Sequence, residues 1–113
     1  MIKDLEDWKE KIKKADKLII VEGIKDKEAL RVLGIKKVIT LKNKPLYKVI
    51  EEAAEKTKEA IILTDFDKEG KKIYSILKKG LQKHRIKVDM QFREFLIKNT
   101  EVSCIEGITN LFL

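Results

Sequence analysis

Residues that staple or punctuate a chain are scarce in this sequence. A single cysteine, Cys104, excludes an intramolecular disulfide and fits a reducing, cytoplasmic compartment. Its apolar neighbours mark it as a small core residue. One proline and five glycines leave no linker and no low-complexity tract, and no internal repeat is visible. The one histidine, His84, has no partner in the sequence that would make it a ligand or a base. No apolar run approaches the roughly 20 residues of a membrane span. The start, Met1-Ile-Lys-Asp-Leu-Glu, lacks the apolar core of a secretory signal. The expectation is a cytoplasmic protein with no membrane partner.

Charge, by contrast, is abundant. Charged residues make up 40% of the chain against 43% hydrophobic, and the formal net charge is +7. The apolar share is that of a globular protein, whereas the charged share exceeds the usual quarter and is dominated by Lys and Glu. Such usage resembles that of hyperthermophile proteins, where surface ion pairs form networks. A basic surface attracts phosphate backbones, although the same excess also serves solubility. At 113 residues the length fits one domain, residues 1–113, able to bury one sheet between helices.

Periodicity alternates along the chain. Leu5, Trp8 and Ile12 share a helical face within 2–14, with acids early and lysines late, as the helix dipole favours. Residues 17–21 read as a fully buried strand. Residues 25–33 read as a short helix with Ala29, Leu30 and Leu33 inward, stopped by Gly34. Residues 38–41 are a second strand. Pro45 opens a helix striped by Leu46, Val49, Ile50, Ala53 and Ala54. Residues 60–64 are a third strand. A long helix over about 68–84 has Ile73, Ile76, Leu77 and Leu81 on one side and Lys71, Lys72, Lys78, Lys79 and Lys83 on the other. Residues 88–90 suit a fourth strand, 92–96 fit a turn or a helix equally, and 105–113 read as a closing helix. Tyr47 and Tyr74 fall on helix faces as packing residues, and Phe92, Arg93 and Phe95 as core and edge residues. Strands alternating with helices imply an α/β fold: a mainly parallel four-stranded sheet with helices on both faces.

Chemistry concentrates at two strand ends. Ala60-Ile-Ile-Leu-Thr-Asp65-Phe-Asp67-Lys-Glu69-Gly70 sets three carboxylates within a few residues of a buried strand. Leu18-Ile-Ile-Val-Glu22-Gly23 places another acid after a second such run. In open α/β sheets the carboxyl ends of strands border the ligand crevice. Residues two apart in extended chain point the same way, so Asp65 and Asp67 can aim at one volume. Oxygen ligands of this kind suit a hard divalent cation such as Mg²⁺. Asp67 is also placed to cap the helix that follows, and Glu69 is an ordinary first-turn acid. Asp65 has no such structural excuse. Gly70 allows close helix packing or the approach of a phosphate. Lys25, near Glu22, is either a solvated first-turn residue or a phosphate contact, and the lysine face of the long helix is either solvated or a backbone track. Two other acidic α/β sites fit poorly. A phospho-acceptor receiver domain needs an acid pair after its first strand, and haloacid-dehalogenase-type hydrolases carry Asp-x-Asp there rather than after the third.

The two motifs together resemble the Toprim domain of type IA topoisomerases, bacterial primases, OLD-family nucleases and the 5S ribosomal RNA maturation nuclease. The resemblance covers about residues 17–90. Glu22-Gly23 followed by Asp26 is similar to the primase and maturation-nuclease form, and Glu69 before Gly70 to the topoisomerase form. Many members carry proline between the two aspartates, where this chain has Phe66. The resemblance implies a catalytic glutamate at Glu22 and Mg²⁺ held by Asp65, Asp67 and Glu69, with Mn²⁺ able to substitute. Gly23, Asp26 and Gly70 would support the site, and Lys25, Lys68, Lys71 and Lys72 would meet nucleic acid. It also implies phosphodiester chemistry, with RNA favoured over DNA. Two classes of function stay open: a small Mg²⁺-dependent nuclease, or a metal-dependent nucleic-acid or nucleotide binding module serving a larger complex. A homodimer or a larger nucleoprotein assembly would enlarge the surface available to either.

Overall fold

The structure is a computed structural model that describes residues 1–112. Its elements run α1 (Leu5–Ala15), β1 (Leu18–Val21), α2 (Ile24–Val32), β2 (Val38–Thr40), α3 (Leu46–Lys56), β3 (Glu59–Leu63), α4 (Lys68–Lys83), β4 (Lys87–Val88) and α5 (Gln91–Asn99). A 3₁₀ segment, Ile105–Phe112, closes the described chain. The four strands form one parallel sheet in the order β2-β1-β3-β4. Chain order therefore reverses between β1 and β3, and the switch point opens at their carboxyl ends.

Every residue of β1, Leu18 to Val21, is buried, because helices cover both faces of the sheet. On one face Trp8, Ile12, Leu30, Phe92, Leu96 and Ile108 pack on Ile19, Val21, Ile61 and Leu63. On the other, Val49, Ala53, Leu77, Leu81 and Ile86 pack on Ile20, Ala60 and Ile62. Strand alternation sends successive residues to opposite cores.

The expected order of elements holds, and the differences are local. Helix α1 begins at Leu5 rather than residue 2, because Asp4 is its N-cap and accepts from the Asp7 N–H at 2.8 Å. Helix α2 is followed by Gly34 at φ +86°, a conformation glycine adopts without strain. Strand β4 shrinks to two residues, since Met90 is already the N-cap of α5. The ambiguous stretch 92–96 is helix. The closing segment is 3₁₀ rather than α-helical, and Leu113 of that expected helix lies outside the described residues. Ala54 and Ile76 are exposed, so the inward stripes of α3 and α4 are narrower than periodicity implied. Helices α3 and α4 pack closely at Gly80, where a Cβ would collide with the Ile50 side chain. Tyr47 is 60% exposed and does not pack as expected.

Candidate metal centre at the switch point

Register brings the two motifs together. Val21 lies beside Leu63, so Glu22 and Thr64 leave their strands side by side. The Asp65 N–H donates to Glu22 Oε2 at 2.8 Å. Residues 43 positions apart thus share one hydrogen bond at the carboxyl edge of the sheet. The Asp65 carboxyl is pushed up to about 6, first by partial burial and then by the charges of Glu22, Asp26 and Asp67, against a smaller opposing effect of Arg93.

The turn carrying Asp65 is held from several sides. Asp67 caps α4, accepting from the Gly70 N–H at 2.8 Å. Thr64, fully buried, donates its hydroxyl to the Gly70 carbonyl at 2.8 Å. A Cβ on Gly70 would lie 1.9 Å from the Asp65 carbonyl oxygen, so only glycine allows the first turn of α4 to pass this close. Gly23 is under no such constraint, since a methyl there would meet Asp26 Oδ2 at an ordinary 3.7 Å. Its N–H instead donates to that oxygen at 3.0 Å.

Asp26 is buried and takes a second backbone bond, from Glu106 N–H to Oδ1 at 2.8 Å. Burial pushes its carboxyl up, while these two donors pull it down. Asp26 thus ties the start of α2 to the 3₁₀ segment. Cys104 is corrected: it is half-exposed, and its sulfur comes within 4.8 Å of a carboxylate oxygen of both Asp26 and Asp65. That trio is not the expected ligand set. Both Asp26 oxygens already accept backbone bonds, and a thiol is a soft ligand ill-matched to Mg²⁺.

Of the expected site residues, the catalytic candidate Glu22 meets the backbone of Asp65, and Asp67 stands exposed but close enough to act on the Asp65 carboxyl. Glu69 is exposed in the first turn of α4 and is absent from the charges that shift Asp65. Lys25 is exposed in the first turn of α2, and Lys68, Lys71 and Lys72 are exposed on α4. His84 caps the C-terminus of α4, its Nδ1 3.0 Å from the Gly80 carbonyl, away from the acids as expected. The residue that sequence reading missed is Arg93. Only 6% exposed, it points its guanidinium at the carbonyls of Thr64 and Asp65. Its place in a short stretch of undecided structure hid that role.

The donor chemistry fits a hard cation. Acids from two strand ends lie at one edge, and partial burial together with the charges of Glu22, Asp26 and Asp67 opposes ionisation of Asp65, an effect a divalent cation would offset.

A profile of the Toprim domain matches residues 17–91. The chain belongs to the Toprim domain family. Its curated relatives include a UPF0292 protein of Pyrococcus abyssi, 36% identical over 92% of this chain and 80% of the relative. Another, from Methanocaldococcus jannaschii, is 34% identical over 87% of this chain and 80% of the relative. Among solved structures, a putative protein from Aquifex aeolicus superposes with a TM-score of 0.86 at 36% identity, covering 93% of this chain and 98% of that one. The Aquifex aeolicus primase, described by its zinc-binding and RNA polymerase domains, superposes with a TM-score of 0.57 at 26% identity, over 91% of this chain and 27% of that one. Membership of the Toprim family carries a coarse assignment: divalent-metal-dependent function connected with nucleic acid. No helix among the described residues is long and apolar enough to cross a membrane.

Proposed function

We propose that this Toprim protein is a Mg²⁺-dependent nuclease that cleaves phosphodiester bonds, with structured RNA as its preferred substrate. The observation that carries the reading is the hydrogen bond from the Asp65 N–H to Glu22 Oε2, which joins the two motifs at the switch point. Asp65 and Asp67 hold the cation, with Glu69 as an outer carboxylate. Mn²⁺ substitutes for Mg²⁺. When bound, the cation neutralises and orients the phosphate under attack.

Glu22 has the proton-transfer role. Its Oε2 is fixed by a backbone donor, and its Oε1 has no protein hydrogen bond among the described residues, which leaves it available for proton transfer. As a general base it takes a proton from the attacking water, whose oxygen bonds to phosphorus as the bond from phosphorus to the leaving sugar oxygen breaks and that oxygen takes a proton from solvent. Lys25, Lys68, Lys71 and Lys72 receive the phosphates on either side of the scissile bond, and Gly70 supports the site by letting the first turn of α4 pass close to Asp65. Residues 1–113 act as one unit. The flanking segments are anchored to the core by the Trp8 Nε1–H bond to the Phe92 carbonyl, 2.9 Å, and by the Asp26 bond to the Glu106 N–H.

The test is cleavage of end-labelled structured RNA, single-stranded RNA and DNA with Mg²⁺ or Mn²⁺. Cleavage of structured RNA is expected to fall at least a hundredfold in Glu22→Gln and in Asp65→Asn, the scale of a lost general base. Activity that survives either change rejects the reading. Salt-sensitive binding that persists in Glu22→Gln, with no cleavage by the unmutated protein, would instead assign a binding module.

A further inference from the structure

We infer that Arg93 is a positioning residue for the metal centre: its guanidinium completes the edge of β3 and fixes the backbone that presents Asp65. The inference rests on the reading of Asp65 and Asp67 as the cation site beside Glu22.

β4 ends early and leaves part of the β3 edge open. β4 has two residues, paired with Glu59 and Ala60, whereas β3 runs on to Leu63. The carbonyls of Lys58 and Ala60 accept from Lys87 and Asp89, so even-numbered carbonyls of this segment face the β4 side. By that alternation Thr64 also faces it, beyond the point where β4 has ended. A buried carbonyl there needs a donor. The chain turns directly from β4 into α5, which carries Arg93 over the open edge. Arg93 Nε–H donates to the Thr64 carbonyl at 3.2 Å, and Nη2–H to the Asp65 carbonyl at 2.7 Å. One rigid fork thus fixes two successive peptide groups, and the first of them carries the Asp65 N–H that binds Glu22.

The surroundings of the guanidinium point the same way. A buried arginine is normally paired with a carboxylate, yet Arg93 enters no ion pair among the described residues. Instead it lies between two rings, 5.3 Å from the Phe66 centroid and 4.6 Å from that of Tyr74. Phe66 is the residue between the two aspartates. Its N–H donates to the Ser103 carbonyl at 2.9 Å. A proline there has neither that N–H nor an aromatic face, so Phe66 and Arg93 form one device.

The test is Mn²⁺ titration of the full chain followed by the EPR signal of free Mn²⁺, with Arg93→Lys, Arg93→Met and the remote core variant Leu81→Ala. Lysine keeps the charge and loses the fork. Mn²⁺ affinity is expected to fall ten- to a hundredfold in both Arg93 variants, the range for residues that orient metal ligands. Leu81→Ala, on the opposite core, is expected to lower Tm and leave Mn²⁺ affinity unchanged. Wild-type affinity in a folded Arg93→Lys or Arg93→Met overturns the inference. So does failure of both to fold, which would make Arg93 a core residue and nothing more. Absence of Mn²⁺ binding by the unmutated protein would overturn the metal reading itself, a result distinct from either.

Discussion

Asp65 lies where burial and three neighbouring carboxylates oppose its ionisation. In the unfolded chain its carboxyl ionises near the ordinary 3.8, and in the folded metal-free chain only at about 6. Between those values the folded state holds the extra proton, so stability is greatest at low pH within this window and falls as pH rises through it. Asp26, also pushed up, acts in the same direction. Asp65→Asn removes the larger part of this slope. At neutral pH the metal-free variant is expected to melt above the wild type, while losing Mn²⁺ binding. Thermal melts in chelator from pH 4 to 7 check this, and an unchanged slope in the variant would contradict it. Glu22 and Asp65 were legible in the sequence because an acid ending an apolar strand has no packing reason to be there. Cys104 and Arg93 were not, since apolar neighbours say nothing of which side chain a fold turns toward the acids.

At the scale of elements, α4 joins the acid centre to the basic surface. Its 16 residues extend about 24 Å from the Asp67 cap. Lys68, Lys71, Lys72, Lys79 and Lys83 are exposed, and none enters an ion pair among the described residues, whereas lysines of α1 and α3 do. The α4 charges are therefore free to meet phosphate. Replacing Lys68, Lys71 and Lys72 with Gln is expected to weaken RNA binding and to flatten the plot of log affinity against log salt by about 2 units, at roughly 0.7 to 0.9 per lost phosphate contact. Stability should change little, within about 0.5 kcal/mol per site, because no folded-state pair is lost. Fluorescence anisotropy across a salt series measures the first quantity and chemical denaturation the second. The lysine face was visible as a stripe of period 3.6, but its freedom from acids depends on which neighbours the fold supplies. The fourth strand and α5 were harder to read. β4 is too short to show alternation, and α5 buries one flank under α1 and the edge of β3.

For the whole molecule, the parallel sheet closes a site that no single segment contains. On the proposed reading, the Asp65 and Asp67 carboxylates are set for a cation only in the folded chain, where Glu22 on the paired β1 holds the Asp65 backbone, so metal and folding would be linked. At a hundred times its Kd, Mg²⁺ or Mn²⁺ is expected to add about 2.7 kcal/mol, a rise in Tm on the order of 10 °C for a chain of this size. Chelator should reverse the shift, and Asp65→Asn should abolish it. A Tm indifferent to both cations in the wild type would speak against a cation site at Asp65 and Asp67.

Sequence alone determined the α/β alternation, the buried strands and the identity of the acids, because hydrophobic period and strand-end chemistry are local properties. The pairing of β1 with β3, which makes neighbours of Glu22 and Asp65, was decided by tertiary structure. So were the early end of β4, the reach of Arg93 to the exposed carbonyls and the turning of Cys104 toward the acids. Each depends on where a second segment comes to rest, and no local periodicity encodes that placement.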